Sequence, residues 1–131
     1  MRRALPDTEI WIEPGRFVVA EAGVLLARVN QTKGKGTVRY VGIATGMNSL
    51  IRPALYGAYH EIVNLTRVGE EPTERVSVVG PICETGDVLG LDRLLPPTAE
   101  GDVLLIANAG AYGYVMSSRY NLREPAPERA L

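Results

Sequence analysis

Four short segments of the chain combine residue types that bind ligands or move protons. An arginine presents a planar fork of donors to a carboxylate or phosphate, and a glycine lets backbone approach a ligand closely. A thiol beside a carboxylate places a proton donor and an anion in one turn. Each segment alone also has a plain structural explanation: the first two fit an ordinary turn or surface loop, and the fourth fits a helix packed tightly on a sheet. The four are Glu13-Pro14-Gly15-Arg16, Arg52-Pro53-Ala54-Leu55-Tyr56, Gly80-Pro81-Ile82-Cys83-Glu84-Thr85-Gly86-Asp87 and Ala109-Gly110-Ala111-Tyr112-Gly113.

Cys83 and His60 are the only cysteine and the only histidine in the chain. One cysteine excludes an intramolecular disulfide and a Cys-rich zinc site, and we expect no metal site. The commoner fate of a lone cysteine is that of a small buried hydrophobe, and Asp87 also fits a turn-capping role. His60 has no partner pattern, so we expect a packed or surface side chain rather than a base.

The secondary-structure elements that position these segments are predicted to be strands and turns. Short apolar or alternating runs are separated by glycine, proline and polar residues, which is typical of a mainly β chain. We expect a Greek-key barrel or a sandwich with a few short helices, near residues 48–59 and 109–120. The predicted strands cover residues 9–12, 16–19, 23–31, 37–43, 60–68, 75–79 and 102–108, with a hairpin at 33–36.

Composition narrows the classes of function. The 131 residues carry a formal net charge of -1 without a basic face, so we expect no nucleic-acid partner. No apolar run is long enough to span a bilayer, and the first residues do not resemble a signal peptide. The lone thiol suits a cytoplasmic location. Residues 123–131 are rich in proline and charge, and we expect a frayed tail there.

In order and spacing, the four segments resemble the C-terminal β-domain of diaminopimelate decarboxylases, with Gly46-Met47-Asn48 leading into the second segment. The resemblance runs over residues 9–121. It implies that residues 1–122 are this β-domain, with residues 1–16 as the last strand and junction of a preceding TIM barrel. A chain that starts inside such a fold is expected to be a truncated or proteolytic product.

The resemblance implies a pyridoxal-phosphate-dependent enzyme that converts meso-2,6-diaminopimelate to L-lysine. The cofactor is held mainly by the preceding barrel, so no turnover is expected from this chain alone. The resemblance also implies a homodimer with shared active sites. The stretch from residue 43 to 64 also resembles the decarboxylase half of chains fused to an aspartokinase.

On the cofactor side, the resemblance assigns Glu13, Pro14, Gly15 and Arg16 to the region of the cofactor. Arg16 also reaches the substrate. Tyr112 corresponds to the residue that contacts both cofactor and substrate.

On the substrate side, the resemblance assigns Arg52 and Tyr56 to the distal end of the substrate. Glu84 corresponds to the contact for the distal ammonium group. Cys83 corresponds to a proton donor offered across the dimer interface to the partner's cofactor. Thr85 stands where serine is usual in this family, and two further positions that are commonly aspartate carry Ser49 and Asn108.

Two other functions compete with this one. A related decarboxylase would act on ornithine, arginine or carboxynorspermidine, but Arg52 with Tyr56 favours a substrate whose far end carries a carboxylate, and ornithine has none. The second alternative is a catalytically inactive relative or a β-barrel binding module. The presence of both Cys83 and Glu84 argues against an inactive copy.

Overall fold

Six strands form one curved sheet in the computed structural model, which describes residues 7–130. The sheet order is β3-β6-β1-β2-β4-β5, and neighbours are antiparallel except β2 and β4. Because the edge strands β3 and β5 contact each other, the sheet is a nearly closed barrel, and the predicted β fold is confirmed. The strands are β1 (Leu25–Lys35), β2 (Val38–Ile43), β3 (Ile62–Asn64), β4 (Glu74–Val79), β5 (Val88–Leu95) and β6 (Val103–Ile106).

The helices are short and lie outside the sheet. They are α1 (Gly15–Val19) and α2 (Arg52–Tyr56), and single 3₁₀ turns occupy Ala20–Ala22, Leu65–Arg67, Tyr114–Met116 and Tyr120–Leu122. Within residues 7–130, no helix is long and apolar enough to cross a membrane.

Strand β1 joins the two halves of the barrel. Its residues from Leu25 to Arg28 pair with β6, and those from Val29 onward pair with β2. The register with β2 shifts between Val29 and Gln31, which is the mark of a bulge. A bulge bends a strand and increases its twist, so one strand can serve both halves.

Alternate residues of the strands fill the barrel interior. The side chains that point inward recur with a period of two, as expected for a sheet with one buried face. The core consists of Ala27, Val29, Val41, Ile43, Leu50, Ile62, Val76, Val78, Leu89, Leu95, Leu104 and Ile106.

A buried carboxylate fastens one end of the barrel. Asp102 accepts hydrogen bonds from Asn64 Nδ2 at 2.9 Å, Arg67 Nε at 2.8 Å and the Ala99 amide at 3.0 Å. Burial alone would raise the pKa of Asp102, but the hydrogen bonds from Ala99, Asn64 and Arg67 outweigh it and lower the pKa. The charged form therefore ties the start of β6 to β3 and its following turn.

Two predicted strands near the start of the chain are wrong. Residues 9–12 form no strand, and Trp11 is 85% exposed because no neighbouring strand pairs with this segment. Residues 16–19 belong to α1, which begins directly after Pro14, a residue suited to a helix start. A four-residue apolar run does not distinguish a strand from a helical turn. Residues 1–6, which belong to the predicted last barrel strand and junction at 1–16, lie outside the described residues.

Two further corrections concern residues with left-handed backbone. Strand β5 was not predicted, because Gly90 and Asp92, which has a φ of 50°, interrupt its alternation. The helix predicted at 109–120 is absent apart from one 3₁₀ turn and the start of a second. Tyr112 there has a φ of 57°, which a continuous α-helix does not accommodate.

The start of the C-terminal tail is held in place. Asn48 Nδ2 donates to the Glu124 carbonyl at 3.0 Å, and Ser49 Oγ accepts from the Ala126 amide at 2.8 Å. These hydrogen bonds correct the expectation of a frayed tail for the residues as far as Ala126. The proposed domain boundary at residue 122 stays a prediction.

Asp102 and Asp92 both pair with an arginine, but removing their charges should change the free energy of unfolding by different amounts. Asp102→Asn should lower the free energy of unfolding by about 1–3 kcal/mol, because buried donors lose their charged acceptor. Asp92→Asn is the control. Because the Arg75–Asp92 pair is exposed, removing it should change the free energy of unfolding by no more than the experimental error. Urea unfolding of both variants measures the difference, and equal losses would contradict the assigned role of Asp102.

Candidate functional site

A cleft of about 450 Å³ lies between α1, α2 and the segment that leads into β3. Arg16 and Arg52 put two cations on its wall, with Glu21 as the only carboxylate among the lining residues of the described chain. The cleft is lined by Pro14, Gly15, Arg16, Phe17, Ala20, Glu21, Arg52, Tyr59, His60 and Asn108.

Arg52 is a nearly buried cation at the first position of α2. Pro53 follows it, and Gly57 ends the helix with a φ of 62°, where a side chain would be strained. Only 8% of Arg52 is exposed, yet its guanidinium forms no ion pair or hydrogen bond within residues 7–130. No Arg52 nitrogen is both fully buried and unpaired in the described chain, so the guanidinium opens onto the cleft, where it can bind an anion.

His60 is fully buried in the wall of the same cleft. Its Nδ1 lies 2.8 Å from the Ala107 carbonyl oxygen, while Nε2 has no partner in the described chain. Burial lowers the pKa of His60; the Ala107 bond opposes this, and the charges of Arg52, Arg16 and Arg93 lower it further. The imidazole is therefore neutral, with its proton on Nδ1.

Tyr59 and Arg93 support the wall beside His60. The Arg93 guanidinium carbon lies 3.9 Å from the centroid of the Tyr59 ring, a cation–π contact. The Tyr59 hydroxyl donates to Glu61, and this hydrogen bond raises the pKa of Tyr59. The contact links β5 to the segment that carries His60.

The turn at residues 109–113 brings Tyr112 to α1. A Cβ on Gly110 would lie 2.1 Å from the Val19 carbonyl oxygen, so only glycine allows this approach. The Tyr112 hydroxyl lies 3.9 Å from the position of a Cβ on Gly15. Gly15, Arg16 and Tyr112, which the sequence assigned to one cofactor region, thus lie on one side of the molecule.

The Cys83–Glu84 turn is placed elsewhere. Both residues are exposed, so the buried alternative for Cys83 is wrong. No residue from 80 to 87 lines the arginine cleft. Tyr56, at the end of α2, is 62% exposed and also lies outside the cleft lining. The described chain therefore carries two groups of candidate residues, one lining the cleft and one outside it, and Gly86 places the second group against Ala54 of α2.

Asp87 fixes the backbone of this turn. Its carboxylate is buried and accepts from the Met47 and Ile82 amides, each at 2.6 Å. Gly46 and Gly80 pack against it, since a Cβ on either would lie 2.1 or 2.3 Å from a carboxylate oxygen. Asp87 thus caps two loops at once, which extends the turn-capping role that its position suggested.

Tyr120 is a neighbour of Glu84 that the sequence did not reveal. Its hydroxyl donates to Glu84 Oε2 at 3.1 Å, and this bond, with the Glu84 charge, raises the pKa of Tyr120. Tyr120 lies 36 residues away along the chain, and no local pattern marks it. The sequence did not identify His60 as a cleft residue either, because a single histidine forms no spacing pattern with other residues.

The three departures from the family pattern are accommodated. Ser49 Oγ shares a 2.5 Å hydrogen bond with Thr45 Oγ1 besides holding the tail. Asn108 lines the cleft with a φ of 58°, a conformation that asparagine tolerates well. Thr85 is exposed. Within the described range, no three His, Cys, Asp or Glu side chains could hold a metal ion.

A model of the family "Pyridoxal-dependent decarboxylase, C-terminal sheet domain" matches residues 16–110. The chain belongs to this family. This pyridoxal-dependent decarboxylase sheet domain is 49% identical over 122 residues to the diaminopimelate decarboxylase of Archaeoglobus fulgidus, covering 93% of the chain and 29% of that relative.

Solved structures of decarboxylases share the fold of this sheet domain. Diaminopimelate decarboxylase of M. jannaschii in complex with L-lysine matches with a TM-score of 0.80 and 46% identity, over 86% of the chain and 26% of that structure. SrLDC in complex with PLP and cadaverine matches with a TM-score of 0.77 and 28% identity, over 95% of the chain and 32% of that structure. The chain spans less than a third of the length of these relatives.

The buried neutral His60 predicts a pH dependence of stability. A group whose pKa is lowered on folding binds protons more readily in the unfolded state, so stability falls as pH drops below the ordinary value of 6.5. The free energy of unfolding should therefore decrease between about pH 7 and pH 5. In His60→Asn, which can keep a donor to Ala107, that decrease should be absent. Urea unfolding of wild type and His60→Asn across this pH range measures the two dependences. The same change of unfolding free energy with pH in both proteins would contradict the burial of a neutral imidazole.

Proposed function

We propose that this sheet domain is part of a diaminopimelate decarboxylase, which removes CO2 from meso-2,6-diaminopimelate and leaves L-lysine. The observation that carries the proposal is Arg52, a nearly buried cation that forms no ion pair within residues 7–130, in one cleft with Arg16. Identities near half to diaminopimelate decarboxylases support the same substrate. An aspartokinase fused to the enzyme stays a prediction.

The distal end of meso-diaminopimelate is itself an amino acid, with an ammonium and a carboxylate on one carbon. Selecting it requires a cationic fork beside an anion. Arg16 and Arg52 supply the fork, and Tyr56 a further donor. Glu84 supplies the anion, and its hydrogen bond from Tyr120 keeps one carboxylate oxygen oriented. The groups that this chain offers therefore match both charges of the distal end.

The residues near α1 fit the phosphate of pyridoxal phosphate. Gly15 leaves room for a ligand, Arg16 carries the charge, and the Tyr112 hydroxyl lies next to Gly15. Glu13 and Pro14 precede them on the same segment, and the Glu13 carbonyl accepts from the Gly15 amide at 2.9 Å. When bound, the cofactor supplies the electron sink for loss of CO2. The remaining cofactor contacts are proposed to come from a barrel outside this chain, which alone should show no turnover.

Cys83 is proposed to deliver a proton from Sγ to the carbon that loses CO2. It is exposed on a turn that Asp87 fixes, and it lies outside the arginine cleft of its own chain. A homodimer in which each Cys83–Glu84 turn completes the partner's arginine cleft accounts for this separation. The enzyme is proposed to be cytoplasmic.

A second substrate class has one observation in its favour. The structure of SrLDC, 28% identical to this chain, contains cadaverine, a diamine without a carboxylate. A substrate of that kind would leave Arg52 in the cleft without its anion. The exposed Cys83 and oriented Glu84 also favour a catalytic domain over a binding module.

Substrate choice tests the proposal. In the full-length protein, Arg52→Ala should lower kcat/KM for meso-diaminopimelate roughly 30-fold to a few thousand-fold, since losing one member of a buried charge pair costs roughly 2–5 kcal/mol. Activity on ornithine should fall far less, because ornithine has no distal carboxylate. Release of CO2 from each substrate is the measurement, and the exposed Arg75→Ala is the control.

Two results would count against the assignment. Equal losses on every substrate would mean that Arg52 supports the fold or the cofactor instead. A wild-type protein that prefers ornithine would exclude diaminopimelate as the substrate.

A further inference from the structure

The Nε2 atom of His60 is a buried hydrogen-bond acceptor without a partner in the described chain. The Ala107 carbonyl oxygen can only accept, so the proton of the neutral ring lies on Nδ1 and the lone pair on Nε2. A buried acceptor that has lost its water must find a donor inside the protein.

Three arginines lie close enough to this wall for their charges to act on His60, namely Arg52, Arg16 and Arg93. Arg93 stacks on the Tyr59 ring and does not line the cleft, although its Nε is also a buried donor without a partner in the described chain. Arg16 is exposed on α1. The guanidinium of Arg52 is nearly buried, lines the cleft with His60, and has no partner in residues 7–130. Among the three arginine charges that lower the pKa of His60, that of Arg52 has the largest effect, and Arg52 lines the cleft where Arg93 does not. Arg52 is therefore the donor group that shares the cleft with the unpaired Nε2.

We propose that His60 is a positioning residue for Arg52: its Nε2 accepts a hydrogen bond from the Arg52 guanidinium and fixes the plane of the fork when a carboxylate enters the cleft. This inference rests on the proposed function. A guanidinium has five N–H donors, and a bidentate carboxylate uses two of them. A third donor remains for His60 without loss of the ligand contact.

The two amide substitutions at His60 separate this role from a packing role. Asparagine can replace the Nδ1–H that donates to Ala107 but removes the acceptor at Nε2. Glutamine places its side-chain oxygen near the position of Nε2 and so restores the acceptor. Because asparagine is also smaller than glutamine, urea unfolding of both variants is measured beside KM. A rise of KM in His60→Asn without a matching loss of stability distinguishes positioning from packing.

The experiment uses the full-length protein with meso-diaminopimelate. His60→Asn should raise KM about tenfold with a smaller change in kcat, and His60→Gln should keep KM within about threefold of the wild type. Equal KM values in wild type and His60→Asn, or equal losses of kcat in both variants, would overturn the positioning role. If the wild type does not act on meso-diaminopimelate, the proposed function fails instead.

Nitrogen-15 NMR of the histidine rings provides a second readout that does not depend on turnover. The His60 signals are those missing from His60→Gln, and they should show a protonated Nδ1 and a bare Nε2. Adding L-lysine, which carries an α-carboxylate and α-ammonium, should shift Nε2 in wild type and Arg93→Lys but not in Arg52→Lys. A protonated Nε2, or a shift that survives Arg52→Lys, would overturn the proposal.

Discussion

The buried carboxylate of Asp87 is the contact on which both groups of candidate residues depend. It binds the Met47 amide on one loop and the Ile82 amide on another, each at 2.6 Å. The first loop leads into α2 and Arg52, and the second carries Cys83. The backbone of both loops packs directly against the Asp87 carboxylate, which leaves no room for a side chain at Gly46 or Gly80. One acidic group therefore joins the loop that leads to the arginine cleft and the turn that carries Cys83 and Glu84.

The sequence predicted the parts of the fold in which local pattern and tertiary structure agree. Strand β4 and a short helix within residues 48–59 follow from alternation and proline signals. The glycines at 33–36 marked the hairpin, but β1 continues to Lys35 and the turn itself is at Gly36 and Thr37. Strand β5 could not be predicted, since Gly90 and the left-handed Asp92 break its alternation and its register with β4 shifts twice. Residues 16–19 show the reverse case, in which a short apolar run fits either a strand or a helical turn.

The site was predictable in its residue types but not in its arrangement. Motif order grouped Gly15, Arg16 and Tyr112, and the turn at 109–113 brings Tyr112 next to Gly15. The near-burial of Arg52 has no local signal, because it depends on how α2 packs against residues distant in sequence. The same holds for His60, which was expected to be packed or at the surface and lies fully buried beside Arg52. Tertiary contacts between distant segments, rather than local pattern, decide these features.

In the proposed dimer, each chain contributes its arginine cleft to one active site and its Cys83–Glu84 turn to the other. The most direct test of this claim is a heterodimer of the full-length protein, purified with two affinity tags, in which one subunit carries Arg52→Ala and the other Cys83→Ala. In a shared-site dimer one of the two sites receives both intact residues, so activity on meso-diaminopimelate should return to about half that of wild type. Each variant alone should be strongly impaired, by about 10²–10⁴-fold for a lost proton donor. A heterodimer no more active than its two parents would contradict the claim, because each site would then be built from a single chain.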